Sequence, residues 1–273
     1  MNDIIINGGL IVTGAGIKRG KIAIKNGKIS GVGERVSGVA KRHILAKEKL
    51  VLPGLLDVHA HPVYLDDIET LSIAAAYGGI TTVIHYAYAP PGKGLIETIQ
   101  HFLSEGENKS ILDFSLHAGI FDPQNQIREI PEAIPLGVTS FKLFMAYAKL
   151  GWMTNDYQLI RAFDVIAQVG GLAIVHAENG LATDYLEDKF IAEGRNFKEV
   201  FDATRPGLLE AEAVNRAMAL AQVVQCPLYI PHVSAKEAVE TIARGKACGW
   251  HVYGETCPQY LTLTGEEVFR QGA

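Results

Sequence analysis

Apolar and polar positions follow two different patterns along the chain, and the change falls near residue 50. Before that point, short apolar runs alternate with polar residues and are bounded by glycines, which is typical of β-strands joined by tight turns. Asn26-Gly27 lies between two alternating arms, and it strongly favours a hairpin because both residues tolerate positive φ. The pattern therefore predicts a small β domain over residues 1–49.

From residue 50 onward, apolar runs typical of buried strands alternate with stretches of helical periodicity. Strands are predicted at 50–58, 80–86, 110–118, 138–145, 171–176, 226–231 and 250–254, and helices at 66–77, 95–104, 156–169, 207–223 and 235–246. Repeated strand and helix units indicate an α/β fold with a parallel sheet, either doubly wound or closed as a (β/α)8 barrel. No Gly-x-Gly-x-x-Gly follows the first of these strands, which removes the main indication of a dinucleotide-binding sheet.

Composition excludes several classes of protein. The chain of 273 residues is 48% hydrophobic, which is enough to bury a large core, and its formal net charge of -5 offers no basic field for nucleic acid or an anionic membrane. The three cysteines form no Cys-x-x-Cys pair, which argues against a disulfide framework and a thiolate zinc site. The N-terminus does not resemble a signal peptide and no apolar run is long enough to span a bilayer, so we expect a cytoplasmic protein.

Four histidines fall where predicted strands end. His59 and His61 follow the apolar run 49–56, and His176 and His232 each end a later strand. Residues two apart in a strand project to the same side, so His59 and His61 can reach one point in space. A lone His-x-His is more often an ordinary pair of histidines than a pair of ligands. A barrel, however, gathers the carboxyl ends of all its strands around one mouth, so four such histidines together indicate a metal site.

Lys142 lies within the apolar strand predicted at 138–145. A buried ammonium group is costly unless it is paired or neutralised, and nearby cations would favour its neutral amine. A neutral amine can take up carbon dioxide to give a carbamate, which is a carboxylate able to bridge two cations. The alternative is a lysine whose head group reaches solvent or pairs with an acid.

Five blocks of the sequence resemble the cyclic amidohydrolases, and most closely their dihydropyrimidinase and hydantoinase group. The blocks are His59-Ala60-His61, Phe141-Lys142-Leu143-Phe144-Met145-Ala146-Tyr147, Val175-His176-Ala177-Glu178-Asn179, His232-Val233-Ser234 and Gly254-Glu255-Thr256-Cys257-Pro258-Gln259-Tyr260-Leu261. The resemblance implies a small β-sandwich part over residues 1–49, a (β/α)8 TIM-like barrel over residues 50–273, and two divalent metal ions, usually zinc. It also implies that His59 and His61 bind the more buried ion, that His176 and His232 bind the other, and that carbamylated Lys142 bridges them.

The same resemblance implies the reaction. A hydroxide shared by the two ions would attack a carbonyl of a cyclic amide, and Tyr147 would donate a hydrogen bond to the developing oxyanion. Dihydroorotases carry an arginine that pairs with the substrate carboxylate where this chain has Val63, so we expect an uncharged dihydropyrimidine or hydantoin. The pocket for the ring substituent is expected to be walled by Tyr64, Leu65, Leu150 and Trp152.

The chain lacks the last part of the pattern. The group's catalytic aspartate, at the end of an eighth barrel strand, has no counterpart here, and the sequence offers six or seven strand patterns rather than eight. We therefore expect an incomplete barrel, either a fragment of a longer active enzyme or a truncated product without activity of its own. Relatives commonly form tetramers, so we expect a homo-oligomer, a tetramer or dimer, for the full-length protein.

Other functions also stay open: an allantoinase, a dihydroorotase-like enzyme, or a non-catalytic scaffold that keeps the fold. The retained histidines and Lys142 argue against the scaffold, because a scaffold has no physical reason to bury a lysine among imidazoles.

Overall fold

The structure is a computed structural model that describes residues 1–63 and 66–264, with the backbone alone at residues 197–199. The chain divides into two compact units. The first unit comprises residues 1–57 and 75–82, and the second comprises residues 58–74 and 83–273.

The first unit contains a five-stranded sheet in the order β3, β2, β1, β4, with β5 also paired to β1. Its strands are β1 Asn2–Thr13, β2 Gly16–Lys25, β3 Lys28–Gly33, β4 Ala40–Leu45 and β5 Leu50–Val51. Strands β2 and β3 form the predicted hairpin: Asn26 and Gly27 have φ angles of 52° and 71°, as a two-residue turn of this kind requires. The described residues thus contribute one sheet of the expected N-terminal sandwich.

The single strand predicted over residues 50–58 is wrong, because the structure has two. Strand β5 ends at Val51 and β6 Leu55–Ala60 begins after Pro53-Gly54. Proline has no N–H to donate to a sheet ladder, which interrupts the strand at this point. Gly54 packs so closely against the side chain of Thr81 that a Cβ atom would collide with it.

Seven strands form the second sheet, in the order β12, β11, β10, β9, β8, β7, β6. Besides β6 they are β7 Ile80–Ala89, β8 Asp113–Ile120, β9 Ser140–Phe144, β10 Leu172–His176, β11 Leu228–Ile230 and β12 Val252–Gly254. The neighbouring pairs from β8 to β12 are all parallel. The sheet curls as part of a barrel, which confirms the prediction of an incomplete α/β barrel.

Helices connect the strands and cover the outer face of the second sheet. They are α1 Ile68–Tyr77, α2 Leu95–Lys109, α3 Pro123–Gln126, α4 Ile130–Ala133, α5 Asp156–Gln168, α6 Gly180–Ala192, α7 Phe197–Thr204, α8 Gly207–Val223 and α9 Lys236–Ala247, with 3₁₀ turns at 127–129, 134–136, 148–150 and 258–261. Fully buried residues of α5, such as Leu159 and Phe163, pack with strand residues such as Leu143 in one continuous core. Among the described helices, none has the length and apolar character needed to cross a bilayer.

Candidate metal centre

The residues predicted to bind metal come from strands β6, β9, β10 and β11 of the second sheet, or from the residues just after them. His59 lies in β6 and His61 follows it, Lys142 lies in the middle of β9, His176 ends β10, and His232 comes two residues after β11. Because the carboxyl ends of parallel strands meet at one edge of a sheet, this order places the histidines at the same edge.

The four imidazoles face each other in two pairs. Nε2 of His59 lies 3.1 Å from Nε2 of His61, and Nδ1 of His176 lies 3.1 Å from Nε2 of His232. The pairs adjoin, because the ring centroids of His59 and His232 are 5.3 Å apart. Within residues 1–63 and 66–264, no group of three or more His, Cys, Asp or Glu side chains is arranged to hold a metal ion.

Burial favours the neutral form of three of these imidazoles. Burial first, and then the charges of His59 and Lys142, lower the pKa of His61 to about 4. Burial and the charge of Lys142 likewise hold the pKa of His232 far below its ordinary value. For His176, burial again lowers the pKa, and a hydrogen bond to a carboxylate opposes the shift only in part. A neutral imidazole keeps a lone pair on one nitrogen, which is the form that binds metals.

Lys142 is buried, with 1% of its surface exposed. Its Nζ atom lies 5.5 Å and 5.4 Å from the ring centroids of Tyr86 and Phe144. Burial lowers the pKa of its amine to about 7, and the charge of Glu255 opposes the shift. The alternative in which the head group reaches solvent is therefore excluded, and a large share of the amine is neutral near pH 7.

The outward nitrogens of the first pair are anchored by hydrogen bonds. His59 donates from Nδ1 to Oε1 of Glu255 at 2.9 Å, and Tyr229 donates its hydroxyl to Oε2 of the same carboxylate at 2.6 Å. Nδ1 of His61 lies 3.2 Å from the hydroxyl of Tyr88. Burial raises the pKa of Glu255, but the hydrogen bonds from His59 and Tyr229 outweigh it and keep the carboxylate ionised. Such partners fix which nitrogen of a ring carries the proton and where the other one points.

The sequence pattern alone missed the roles of Glu255, Tyr229 and Tyr88. Glu255 directly follows β12 and Tyr88 is the penultimate residue of β7, so both share the edge of the sheet that carries the histidines. Position at a strand end is the signal that could have identified these two residues. Tyr229 lies within β11 and carries no such signal.

Two residues of the site have left-handed backbone, which is uncommon outside glycine. Tyr147 has a φ of 67° and His232 a φ of 45°. Such conformations cost of order 1–3 kcal/mol each, and they persist at functional sites where the surrounding structure enforces them. Tyr147 comes three residues after β9, and its ring centroid lies 5.1 Å from that of His176. The structure thus places Tyr147 beside the second histidine pair.

A cleft of about 340 Å³ opens beside this pair. Its lining includes Tyr147, His176, Glu178, Arg205, His232 and Tyr260. Nearby, Trp152 stacks on Phe121 with a centroid distance of 4.4 Å and meets Tyr147 edge-on at 6.0 Å. Leu150 is largely exposed. Tyr64 and Leu65, the other residues expected to wall the pocket, lie outside the described residues.

The other strand histidines have structural surroundings. His85 is fully buried, with its ring centroid 5.8 Å from that of Phe102 and 6.2 Å from that of Phe114. His117 bonds through Nδ1 to the hydroxyl of Ser140 and donates from Nε2 to a backbone carbonyl of β6 at 3.0 Å. Neither ring belongs to the facing pairs.

Comparison with known proteins identifies similar sequences and structures, although no protein-family model matches the chain. The chain is 41% identical over 283 aligned residues to the D-hydantoinase of Rhizobium radiobacter, covering 98% of this chain and 60% of that protein. It is 36% identical over 235 residues to the dihydropyrimidinase of Rattus norvegicus, covering 82% of this chain and 45% of that protein. The crystal structure of the dihydropyrimidinase from Brevibacillus agri superposes with a TM-score of 0.93 at 32% identity, covering 98% of this chain and 60% of that one. The chain therefore spans at most about 60% of the length of these relatives.

Proposed function

Because the chain is homologous to the D-hydantoinases and dihydropyrimidinases of the amidohydrolase superfamily over nearly its whole length, we propose that this protein hydrolyses the cyclic amide bond of a hydantoin or dihydropyrimidine. The observation that carries the proposal is that two facing histidine pairs meet at one sheet edge, together with a buried lysine. Amide hydrolysis needs an activated water and a stabilised oxyanion, and this set of side chains suits both tasks.

In this proposal two divalent cations, zinc in the first place, belong to the site. His59 and His61 hold one ion, and His176 and His232 hold the other. The facing nitrogens 3.1 Å apart and the depressed pKa values of His61, His176 and His232 support this assignment. A catalytic zinc usually has three protein ligands, and imidazole nitrogen combined with carboxylate oxygen suits this metal. With two imidazoles each, both ions therefore lack one of the three protein ligands.

Lys142 supplies the missing ligand when its amine carries a carbamate. The nitrogen of the neutral amine would form a bond to the carbon of carbon dioxide while one C=O bond opens to a C–O⁻, and one N–H proton would be released to solvent; the resulting carboxylate would supply oxygen ligands to the ions. The pKa of about 7 supports this step, because it provides neutral amine at physiological pH without a neighbouring base. Complete burial supports it as well, since water has little access to the modified group.

The roles of the remaining side chains follow from their contacts. When bound, the two cations lower the pKa of water, so that hydroxide is available near neutral pH to attack the ring carbonyl. Tyr147 donates a hydrogen bond from its phenol hydroxyl to the oxyanion that forms, a task it performs without changing charge. Glu255 holds the ring of His59 through Nδ1, which leaves Nε2 directed toward His61.

The substrate is proposed to be an uncharged cyclic ureide or imide. Val63 is apolar and 43% exposed, so it offers no charge to a substrate carboxylate. The stacked rings of Phe121 and Trp152 offer an apolar wall to a ring substituent.

We also propose a cytoplasmic homo-oligomer, a dimer or a tetramer. The three cysteines form no disulfide, which is compatible with a reducing compartment. Light scattering after size exclusion measures the number of subunits.

A substrate panel tests the proposed function. The intact protein, purified without chelator, is assayed with hydantoin, dihydrouracil, allantoin and dihydroorotate. We expect turnover of hydantoin or dihydrouracil that a chelator abolishes and Zn²⁺ restores. Turnover of dihydroorotate alone would refute the argument from Val63. A protein that contains no metal and hydrolyses none of the four compounds would contradict the proposal and favour a non-catalytic scaffold.

A further inference from the structure

A group of ion pairs lies beside the cleft, on the side of His176. We call Lys149, Glu178, Glu187, Asp188 and Arg205 the Arg205 network. Arg205 donates from Nη2 to Oε1 of Glu187 at 2.6 Å, and its Nε lies 3.3 Å from Oε1 of Glu178. Lys149 lies 2.6 Å from Oδ1 of Asp188 and 3.9 Å from Oε2 of Glu187. The carboxylate of Glu187 therefore pairs with both Lys149 and Arg205.

The guanidinium of Arg205 is held on several sides. Nη1 donates to Oγ1 of the buried Thr204 at 2.7 Å, and Cζ lies 4.4 Å from the ring centroid of Phe201. Its charge is thus balanced by two carboxylates and its plane is fixed by an aromatic ring. Although Arg205 lines the cleft, these contacts direct it toward the protein rather than toward a substrate carboxylate.

One end of the network reaches His176. Nε2 of this histidine lies 3.5 Å from Oε2 of Glu178, while its Nδ1 faces His232. A carboxylate bonded to one ring nitrogen orients the other, and Arg205 in turn holds that carboxylate through its second oxygen. The orientation of His176 thus depends on Arg205 through Glu178.

The other end of the network reaches Tyr147. Lys149 belongs to the 3₁₀ turn that begins directly after Tyr147, and its two ion pairs attach this turn to helix α6. Two backbone bonds join the segment before Tyr147 to the residues around His176: Met145 donates to the carbonyl of His176 at 3.0 Å, and Gly180, the first residue of α6, donates to the carbonyl of Met145 at 3.2 Å.

We infer that Arg205 is a positioning residue that holds the imidazole of His176 and the turn of Tyr147 in one arrangement, through Glu178 and Glu187. The inference rests on the proposed function, since it assigns a role toward the second metal ion and the oxyanion. Lysine cannot replace Arg205 fully, because a single ammonium does not reproduce the fork that reaches two carboxylates.

The test compares Arg205→Met and Arg205→Lys with Arg216→Met. Arg216 is a matched control: it lies 2.8 Å from Asp156 and 3.0 Å from Glu212, and its side chain is 33% exposed against 28% for Arg205. It pairs with Asp156 of α5 and Glu212 of α8, which lie outside the Arg205 network. Each intact protein is stripped of metal and titrated with Zn²⁺ by calorimetry, and kcat and KM are then measured with hydantoin.

We expect Arg205→Met to weaken one of the two Zn²⁺ sites by about 10–100-fold and to lower kcat more than it raises KM. Arg205→Lys should recover part of both losses, and Arg216→Met should match the wild type. Should Arg205→Met fail to fold, Glu187→Gln removes the shared carboxylate charge and is expected to show a smaller loss at the same Zn²⁺ site.

Wild-type Zn²⁺ affinity at both sites in the folded variants of the network would overturn the inference, as would an equal loss in Arg216→Met. These results leave the proposed function intact. A wild-type protein that binds no Zn²⁺ and hydrolyses no cyclic amide would instead refute the proposed function and this inference together.

Discussion

His85 provides a test of how the fold depends on pH. It lies in β7, fully buried against Phe102 and Phe114. Burial lowers the pKa of its ring from 6.5 to about 4, and a contact with the backbone of Tyr86 opposes the shift only in part. The folded protein therefore keeps His85 neutral at pH values where the unfolded chain protonates it.

The sign and size of the effect follow from proton linkage. Between pH 6.5 and about 4 the unfolded chain binds a proton that the folded protein does not, so the free energy of unfolding falls as the pH falls. The full pKa shift corresponds to about 3 kcal/mol, of which about 2 kcal/mol is lost between pH 8 and pH 5. His85→Phe removes this pH-dependent part of the free energy of unfolding. Any loss of stability from fitting the larger phenylalanine ring is the same at both pH values.

Urea unfolding at pH 8 and pH 5 measures the difference. We expect the wild type to lose about 2 kcal/mol more than His85→Phe between the two pH values, because the other buried histidines titrate in both proteins and cancel. His101→Gln is the control for the loss of a surface histidine, because the side chain of His101 is 65% exposed. Equal losses in the wild type and His85→Phe would refute the reasoning.

Three substitutions test the proposed site. Tyr147→Phe should lower kcat by about 10²–10³-fold with metal content unchanged, because it removes one hydrogen bond to the oxyanion; steady-state kinetics and elemental analysis check this. Lys142→Ala should lower the metal content, because it removes the proposed carbamate ligand. A short carboxylate such as propionate should then restore part of the activity. No change in metal content would contradict the proposed bridging role of Lys142. Trp152→Ala should shift preference toward hydantoins with bulkier substituents, because it removes the indole that stacks on Phe121. An unchanged substrate preference in competition assays would contradict the proposal that Trp152 and Phe121 contact the ring substituent.

Hydrophobic periodicity predicted helix α5, which buries Leu159 and Phe163 on one side. The turn residues Asn26-Gly27, rather than a buried face, predicted the hairpin of β2 and β3. Helix α6 was missed because its apolar residues do not share a buried face: Leu181 is 61% exposed and Ile191 is also 61% exposed. The position of helix α6 is therefore determined by its contacts with other elements rather than by the hydrophobic pattern of its own residues.

The site could be predicted only where position in a strand carries the signal. Tyr229 lies within β11 and meets Glu255 through tertiary packing, so no strand-end position marks it. The strand-end position of Glu255 does not identify its partner either, because His59 and Glu255 belong to opposite ends of the sheet order. Ser234 and Glu237 have the spacing of a capping box in the sequence, but the N-cap of α9 is Ala235, which makes no side-chain cap hydrogen bond. Glu210, from the first turn of α8, accepts from the backbone N–H of Ser234 at 2.9 Å and from its hydroxyl at 2.6 Å.

Anomalous X-ray diffraction can show whether the two histidine pairs and Lys142 hold two metal ions. Crystals of the intact protein grown with Zn²⁺ are measured on both sides of the zinc absorption edge. We expect two anomalous peaks in each chain, one at His59 and His61 and one at His176 and His232, with density for a carboxylate beyond Nζ of Lys142. No peak at either pair, or peaks only elsewhere on the protein, would contradict this expectation.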